Sequence, residues 1–300
     1  MKYLTLLTLL LFTLTMYSQT LKGSVSDSIT KEKLAYANLV IKGKNSGTYS
    51  NEDGTYSFNL SKASINDTLV VSLIGYHHQR IALRHFLDTI EHKLNFQLLP
   101  KIESLVEVLI LSKTKIYSNH KITLSTGNRK QVFPTSVPFG YETATLIKNQ
   151  KQKKGKLVEL YLKFRDSSSE IYKTYQTFYR IAFYNINDLG FPGELLYFES
   201  IIIKPEKETK NYKINLEDKA IPFTEKGIFV GIETIKPDHV EQKGLMYITT
   251  PSILHTHTKE TLKYSRFRSN DWTKHARKSV TKKKLYAVPF IRIKVVYEKE

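Results

Sequence analysis

The segment from Asn51 to Leu60 joins a tight turn to a strand, and it limits the possible folds more than any other part of the sequence. Apolar residues alternate with polar ones from Thr55 to Leu60, which is the period of a strand with one buried face. The preceding turn, Asn51-Glu52-Asp53-Gly54, suits a type I geometry in which Gly54 takes the left-handed conformation and closes a hairpin. The sequence therefore predicts antiparallel β structure in this region.

Short strand-like segments follow one another along the rest of the chain, and helical periodicity is almost absent. Ile228–Ile232 is apolar on both faces, which predicts a central strand. The alternating segment Ile291–Tyr297 predicts a strand at a sheet edge or beside one. We therefore expect an all-β protein with an antiparallel sandwich at residues 20–100, a linker at residues 101–137 and a jelly-roll-like sandwich at residues 138–300.

Residues 1–19 have the pattern of a cleaved signal peptide. Lys2 is followed by an apolar run, Leu4–Leu14, and Ser18 is small enough for a cleavage site. The run is shorter than the roughly 20 residues that a membrane-spanning helix needs. We expect export to the periplasm or the outer membrane, with no transmembrane segment after cleavage. Cysteine is absent, which excludes disulfides, thiolate metal sites and a lipid anchor on cysteine.

Four blocks in the first hundred residues carry a resemblance by their order and spacing: Gly23–Asp27, Leu34–Val40, Gly47–Tyr56 and Ile74–Tyr76. Together they resemble the carboxypeptidase-like regulatory domain. That domain is a transthyretin-like Greek-key sandwich, and it also stands at the N-terminus of TonB-dependent receptors. Despite its name, the resemblance implies an accessory module and brings no catalytic residue.

Three blocks in the second half of the chain are Tyr179–Tyr184, Gly190–Leu196 and Gly227–Glu233. They resemble a C-terminal, jelly-roll-like domain that follows the regulatory-like domain in exported bacterial proteins. This resemblance implies architecture and no mechanism.

Three groups of polar residues have the composition of a chemical site, and each has a simpler explanation. His255 and His257 share one face of a strand at a spacing that some zinc sites use, but no third ligand accompanies them. The turn at Asn51–Asp53 supplies too few oxygens for calcium. The chain also carries candidates for a glycosidase carboxylate pair, although nothing in the sequence brings two of them together: Glu194, Glu199 and Glu233. We therefore predict no metal, no cofactor and no catalytic residue.

Residues 259–284 are the most basic part of a chain whose formal net charge is +18. They hold ten Lys and Arg against two acids, with Tyr264, Phe267 and Trp272 between them. Such a stretch favours contact with an anionic surface or a glycan, and a solubilising loop explains it equally well. The candidate contact residues are Lys263, Arg266, Arg268, Trp272, Lys274, Arg277, Lys278, Lys282, Lys283 and Lys284.

The sequence thus predicts a non-enzymatic exported protein that acts as a binding or assembly accessory at the periplasm or outer membrane. We expect its partner to be a protein or glycan of the cell envelope, or an anionic lipid or lipopolysaccharide surface, and export argues against nucleic acid. The main alternative is a carbohydrate-binding module in glycan uptake or degradation, which a cleft with two or three exposed, coplanar aromatic side chains would favour. A glycan hydrolase is the third possibility, which two carboxylates that face each other across a cleft would favour.

Overall fold

The computed structural model of the protein describes residues 19–85, 91–101, 116–127, 132–241, 248–274 and 285–299. These residues form an all-β fold with four sheets, which confirms the predicted fold class. Two sheets form an N-terminal sandwich and the other two form a C-terminal one. The predicted signal peptide lies outside the described residues except for Gln19. In the described ranges, no helix has the length and apolar character that crossing a membrane requires.

The N-terminal sandwich consists of two short sheets that enclose one core. Its described strands are β1 Thr20–Asp27, β2 Asn38–Ile41, β3 Gly47–Tyr49, β4 Thr55–Asn59, β5 Thr68–Ser72, β6 Gln79–Ala82, β7 Glu91–Lys93 and β8 Phe96–Leu98, with a 3-10 turn at Leu83–His85. Strand β1 pairs antiparallel with β4 and parallel with β7 and β8. The facing sheet has the order β3-β2-β5-β6. Fully buried Leu39, Val71 and Phe96 are part of the core between them.

The C-terminal sandwich contains longer strands. They are β9 Ile122–Ser125, β10 Phe133–Pro134, β11 Tyr141–Lys148, β12 Gly155–Arg165, β13 Phe178–Ile186, β14 Pro192–Leu195, β15 Ile201–Ile203, β16 Asn211–Asn215, β17 Pro222–Phe223, β18 Gly227–Ile235, β19 Ser252–Thr258, β20 Lys263–Phe267, β21 Thr273–Lys274, β22 Tyr286–Pro289 and β23 Ile291–Tyr297. The helix α1, Ser169–Tyr175, begins at the N-cap Ser168, and a 3-10 turn spans Glu217–Lys219.

Two large sheets face each other in this second sandwich. One has the order β14-β13-β18-β11-β20-β21, with β15 on β13, and the other has the order β10-β19-β12-β23-β9, with β16 and β17 on β12 and β22 on β19. Every residue of β18 is buried, and the strand lies between β13 and β11, so the predicted central strand is confirmed. Strand β23 lies beside the edge strand β9, as Ile291–Tyr297 predicts. Leu160, Phe183 and Ile293 are among the core side chains. Burial of one such side chain stabilises the fold by roughly 1.5–3 kcal/mol relative to leaving it exposed.

The predicted turn at Asn51–Gly54 forms, but the predicted hairpin does not. Gly54 has a φ of +77°, and its amide donates to the carbonyl of Asn51 at 3.0 Å. Strand β3 pairs with β2, whereas β4 pairs with β1 in the other sheet. The reason is that Tyr49 on β3 packs against the C-terminal sandwich, while Tyr56 on β4 packs in the N-terminal core. The turn therefore carries the chain from one sheet to the other.

Replacing Gly54 with valine is expected to lower the free energy of unfolding. The left-handed backbone costs a side chain about 1–2 kcal/mol, and more when it is β-branched. In addition, a Cβ atom at Gly54 would lie 2.9 Å from both Lys33 Cβ and Val25 O. Urea unfolding should show a larger loss than Gly190→Val, because Gly190 has a similar φ of +78° with no atom within 4 Å. An unchanged midpoint for Gly54→Val would contradict the structural role of the turn.

Part of the expected linker belongs to the second sandwich. Strand β9 pairs antiparallel with β23, and β10 pairs with β19. Ile122 and Leu124 pack against the C-terminal core. Only every second residue of β9 is half-buried, and Pro134 ends β10, so the sequence signal of these two strands is weak. Residues 102–115 and 128–131 of the expected linker lie outside the described residues.

Candidate functional site

Charged residues interrupt four neighbouring strands of the β13-containing sheet and form one row across it. Arg180 on β13 lies opposite Glu233 on β18, Glu233 lies opposite Glu142 on β11, and Glu142 lies opposite Arg266 on β20. Arg180, Glu233 and Glu142 are only 2%, 4% and 4% exposed. Like charges opposite each other on a sheet repel, so the two central glutamates require the arginines on either side.

Each glutamate of this charged row is bound by its own arginine and by a tyrosine. Arg180 Nη1 lies 2.8 Å from Glu233 Oε2, and Arg266 Nε lies 2.8 Å from Glu142 Oε2. The hydroxyl of Tyr184 donates to Glu142 Oε1 at 2.7 Å. Burial raises the pKa of Glu142, and the charge of Glu233 acts in the same direction, while Arg266 opposes both. Pairing with Arg266 offsets the cost of removing the Glu142 carboxylate from water, so this residue can occupy a buried position.

The N-terminal sandwich docks directly on the charged row. Tyr49 Oη lies 3.1 Å from Glu233 Oε1, and Arg180 Nη2 donates to the carbonyl of Tyr36. The Tyr36 ring meets Phe178 edge to face with ring centres 6.4 Å apart. Because Arg180 and Glu233 have partners in both sandwiches, the two domains are packed together at this row.

Arg268 holds the interface together beside the row. Its guanidinium lies 3.7 Å from the centre of the Tyr49 ring, and Nη1 donates to Asn38 Oδ1 at 3.0 Å. A Cβ atom at Gly47 would lie 2.7 Å from Arg268 Cδ, and a Cβ at Gly140 would lie 3.3 Å from its Cζ. The arginine therefore occupies a slot that only glycine backbones leave open on these sides.

A cleft of about 440 Å³ remains open between the sandwiches next to the charged row, and a second one of about 570 Å³ adjoins it. His78, Arg266 and Ser269 line both clefts. The N-terminal sandwich contributes the wall with His78, and strand β20 with the turn after it contributes the opposite wall. The lining includes six basic and four acidic residues: Lys42, Arg80, Lys101, Arg180, Arg266 and Arg268 against Glu142, Glu194, Glu233 and Asp271.

The candidate contact residues of the basic stretch that the structure describes differ in their exposure. Arg268 is 6% exposed and Arg266 is 22% exposed, and both face the domain interface because they are bound there. The Trp272 ring lies 4.1 Å from the Arg266 guanidinium. Burial lowers the pKa of Lys263 to about 8, and Lys274 is exposed. Arg277, Lys278, Lys282, Lys283 and Lys284 lie outside the described residues.

The described part of the chain shows neither of the two features that would favour the alternative functions. All aromatic side chains there are buried or half-buried, so they do not form an exposed sugar platform. Glu194 and Glu199 are exposed, whereas Glu233 is paired with Arg180. Glu233 lies beside Glu142 on a neighbouring strand, not across a cleft from it.

The histidine pair and the turn carboxylates have structural roles. His255 is 1% exposed, and His257 stacks on Phe133 with ring centres 4.6 Å apart. Asp53 Oδ1 accepts hydrogen bonds from the Thr55 amide and hydroxyl. Within the described ranges, no group of three or more His, Asp or Glu residues is placed to hold a metal ion.

A second charged cluster lies on the sheet that contains β12. Lys213 Nζ and Lys294 Nζ lie 3.1 Å and 2.9 Å from the Glu159 carboxylate, and the Tyr161 hydroxyl donates to it. Burial raises the pKa of Glu159, but the hydrogen bonds from Tyr161, Lys294 and Lys213 outweigh this effect and hold the pKa at about 2. The carboxylate therefore stabilises the fold in its charged form.

This cluster is expected to make stability sensitive to acid. Because the pKa of Glu159 is lower in the folded state, its contribution is complete above the ordinary value of 4.5 and is lost as the pH falls towards 2. The loss should be at most about 3 kcal/mol. Unfolding free energies at pH 6 and pH 3 should differ less in Glu159→Gln than in the wild type. Glu260→Gln is the control, because the Glu260 side chain is 64% exposed; an equal effect of both changes would contradict the cluster's role.

Sequence reasoning missed Arg180, Glu142 and Tyr49 as parts of the site. The available signal was a charged residue in or next to an apolar run. Arg180 lies within the apolar segment 178–183, and Glu233 directly follows the apolar run Ile228–Ile232. A buried charge in such a strand needs a partner. Which strands lie side by side, and which partner results, depends on the fold.

Residues 21–110 match the family model of the CarboxypepD_reg-like domain. The match confirms the resemblance of the N-terminal blocks and covers the N-terminal sandwich except for Thr20. No curated protein matches the chain.

Several solved structures match the chain at low similarity. One is a Bacteroides uniformis ATCC 8492 protein for which carbohydrate binding has been suggested, with 10% identity, coverage of 79% of this chain and 95% of that chain, and a TM-score of 0.22. A DUF3823 family protein from the same organism has 10% identity, 91% and 99% coverage, and a TM-score of 0.19. A Bacteroides fragilis NCTC 9343 protein of unknown function, for which membrane association has been suggested, has 8% identity, 94% and 98% coverage, and a TM-score of 0.22. Likenesses of this size carry no argument about function.

Proposed function

We propose that this chain is a non-enzymatic, exported binding accessory of the cell envelope that engages its ligand in the cleft between the two sandwiches. The observation that carries the proposal is the cleft itself, about 440 Å³ in volume and lined by charged residues from both domains. Concave sites between domains, with a few convergent polar groups, are where proteins commonly hold ligands.

The bonding of the buried carboxylates supports binding over catalysis. A general base or nucleophile needs a free lone pair and a pKa suited to its task. Glu142 is bound by Arg266 and Tyr184, and Glu233 is bound by Arg180 and lies within hydrogen-bonding distance of Tyr49. Glu233 therefore helps to hold the two walls together through Tyr49, and Glu142 holds β20 and β13 within one wall.

The location at the envelope rests on the N-terminal segment of the sequence. The apolar run Leu4–Leu14 after Lys2 supports export. A periplasmic or outer-membrane protein meets glycans, lipopolysaccharide and other envelope proteins. Of these, an oligosaccharide segment has the size and the hydrogen-bonding groups that suit the cleft.

The proposal is tested by comparing ligand binding of the wild type with that of a variant whose cleft is blocked by a bulky side chain. Thermal shifts of the mature chain are measured with soluble peptidoglycan fragments, lipopolysaccharide core oligosaccharide and a neutral glucan. Glu194→Trp fills the cleft mouth from an exposed position, and Glu225→Trp is the matched control because Glu225 is exposed and lies outside the cleft lining. At least one class should raise the melting temperature of the wild type and the control but not of Glu194→Trp.

Mass spectrometry of the same samples should recover the ligand unchanged. Cleavage products would contradict the non-enzymatic assignment. Equal shifts in Glu194→Trp and Glu225→Trp, or no shift with any class, would contradict binding in the cleft.

A further inference from the structure

The interface buries one positive charge more than it neutralises. Arg180 and Arg266 each have a glutamate, but the hydrogen-bond acceptors of Arg268 are neutral: Asn38 Oδ1 at 3.0 Å and Gly47 O at 3.4 Å. Burial and the nearby charge of Arg180 lower the pKa of Arg268, although a guanidinium stays protonated in proteins. A buried charge without a counterion is costly, so the site favours any anion that approaches it.

Hydrogen-bond donors without acceptors also collect at the cleft. Arg268 Nε and Ser269 Oγ are buried and have no hydrogen-bond partner among the residues that the structure describes. Within the described residues, Arg266 contacts Glu142 and Tyr184 through Nε and Nη2. His78 and Lys101 line the same cleft. Unsatisfied buried donors are rare in native proteins and call for an explanation such as a ligand.

The cations of the cleft are close enough to act on one another. Crowding by the surrounding protein, followed by the charges of Lys101, Arg266 and Arg80, lowers the pKa of His78. This shift favours the neutral form of the His78 ring, and Lys101 and Arg266 line the cleft with it. The exposed carboxylate of Glu194 stands at the same cleft and limits the net attraction.

We propose that the cleft holds its ligand by an oxyanion group, a carboxylate, sulfate or phosphate, bound by Arg266, Ser269, His78 and Lys101. The inference rests on the proposed function and names the ligand's chemistry at that site. An oxyanion supplies both of the missing components, a negative charge for the surplus cation and several acceptors for the free donors. Because the cleft has walls from two domains, a single oxyanion group can enter it, whereas a flat charged surface cannot.

Two sources of the oxyanion are possible and can be separated. A tetrahedral ion or a phosphorylated or sulfated ligand would bring the charge on its own. An acidic sugar would bring a carboxylate together with a ring whose hydroxyls add contacts. Calorimetry with inorganic phosphate, inorganic sulfate, glucuronate and glucose therefore distinguishes these sources.

The test uses the mature full chain and variants outside the buried ion pairs. Lys101→Gln and Ser269→Ala should each weaken binding of the preferred anion at least about tenfold, since hydrogen bonds to charged groups are stronger than those between neutral groups. Lys226→Gln is the matched control, because Lys226 is exposed and outside the cleft lining. Binding should also weaken between 0.05 and 0.5 M NaCl as the charges are screened.

The outcomes separate this inference from the proposed function. Glucuronate binding above both inorganic ions and glucose assigns an acidic sugar, and phosphate or sulfate binding above glucuronate assigns a tetrahedral group. Glucose binding that equals glucuronate binding, with no effect of Lys101→Gln, would overturn the oxyanion while leaving cleft binding in place. If none of the probes binds and Glu194→Trp changes no thermal shift with any envelope fraction, both the inference and the proposed function fail.

Discussion

Replacing Gly75 with alanine is expected to undock the two sandwiches, whereas the same change at Gly43 should leave them together. Both glycines have a positive φ, +84° and +74°, so both variants bear the left-handed cost of about 1–2 kcal/mol. The difference lies in the surroundings. A Cβ atom at Gly75 would lie 2.2 Å from the carbonyl oxygen of Phe198 in the C-terminal sandwich, and at Gly43 it would meet no atom within 4 Å.

The contact at Gly75 cannot be relieved by a side-chain rotation, because the crowded atom belongs to the backbone. One domain must move, and overpacking of this kind adds typically about 1–3 kcal/mol. Urea unfolding of Gly75→Ala should separate into two transitions, and small-angle scattering should show a larger radius of gyration. Gly43→Ala should keep one transition and the wild-type radius. Identical behaviour of the two variants would contradict close docking at this point.

The fold class was predictable because it depends on local patterns. The alternation from Thr55 to Leu60 and the apolar run Ile228–Ile232 each report burial on one or two faces, and both are strands in the structure. The failed hairpin at Asn51–Gly54 shows the limit of such patterns. Turn chemistry fixes a reversal of direction, but the sheet that the next strand joins depends on distant residues of the core.

The site was less predictable, because it depends on the register between distant strands. Glu142 and Glu233 are 91 residues apart in sequence, yet they lie opposite each other on β11 and β18. Arg266 and Arg268 have the composition of a solvated basic stretch, and only the docking of Tyr49 and the neighbouring strands shows that they are buried. The basic composition of the stretch therefore could not show that Arg266 pairs with the buried Glu142.

The second large effect is expected from breaking the buried pair of Arg180 and Glu233. Glu233→Leu removes the only carboxylate that the structure places on Arg180 among the described residues, and Arg180 is 2% exposed. Loss of one partner of a buried ion pair typically costs about 3–5 kcal/mol, because the remaining charge stays desolvated. The effect should lie at the upper end, since Arg268 already adds a cation whose acceptors are neutral.

The double variant Arg180→Met/Glu233→Leu should recover much of that loss, because it removes the uncompensated charge and fills the space with apolar atoms. The four free energies of unfolding form a double-mutant cycle whose coupling term measures the pair. The same cycle on Lys148 and Glu260, whose side chains are 52% and 64% exposed, should give a coupling below about 1 kcal/mol. If Glu233→Leu costs no more than Glu260→Leu, then Arg180 regains solvent when its partner is lost, and the charged row does not hold the two sandwiches together.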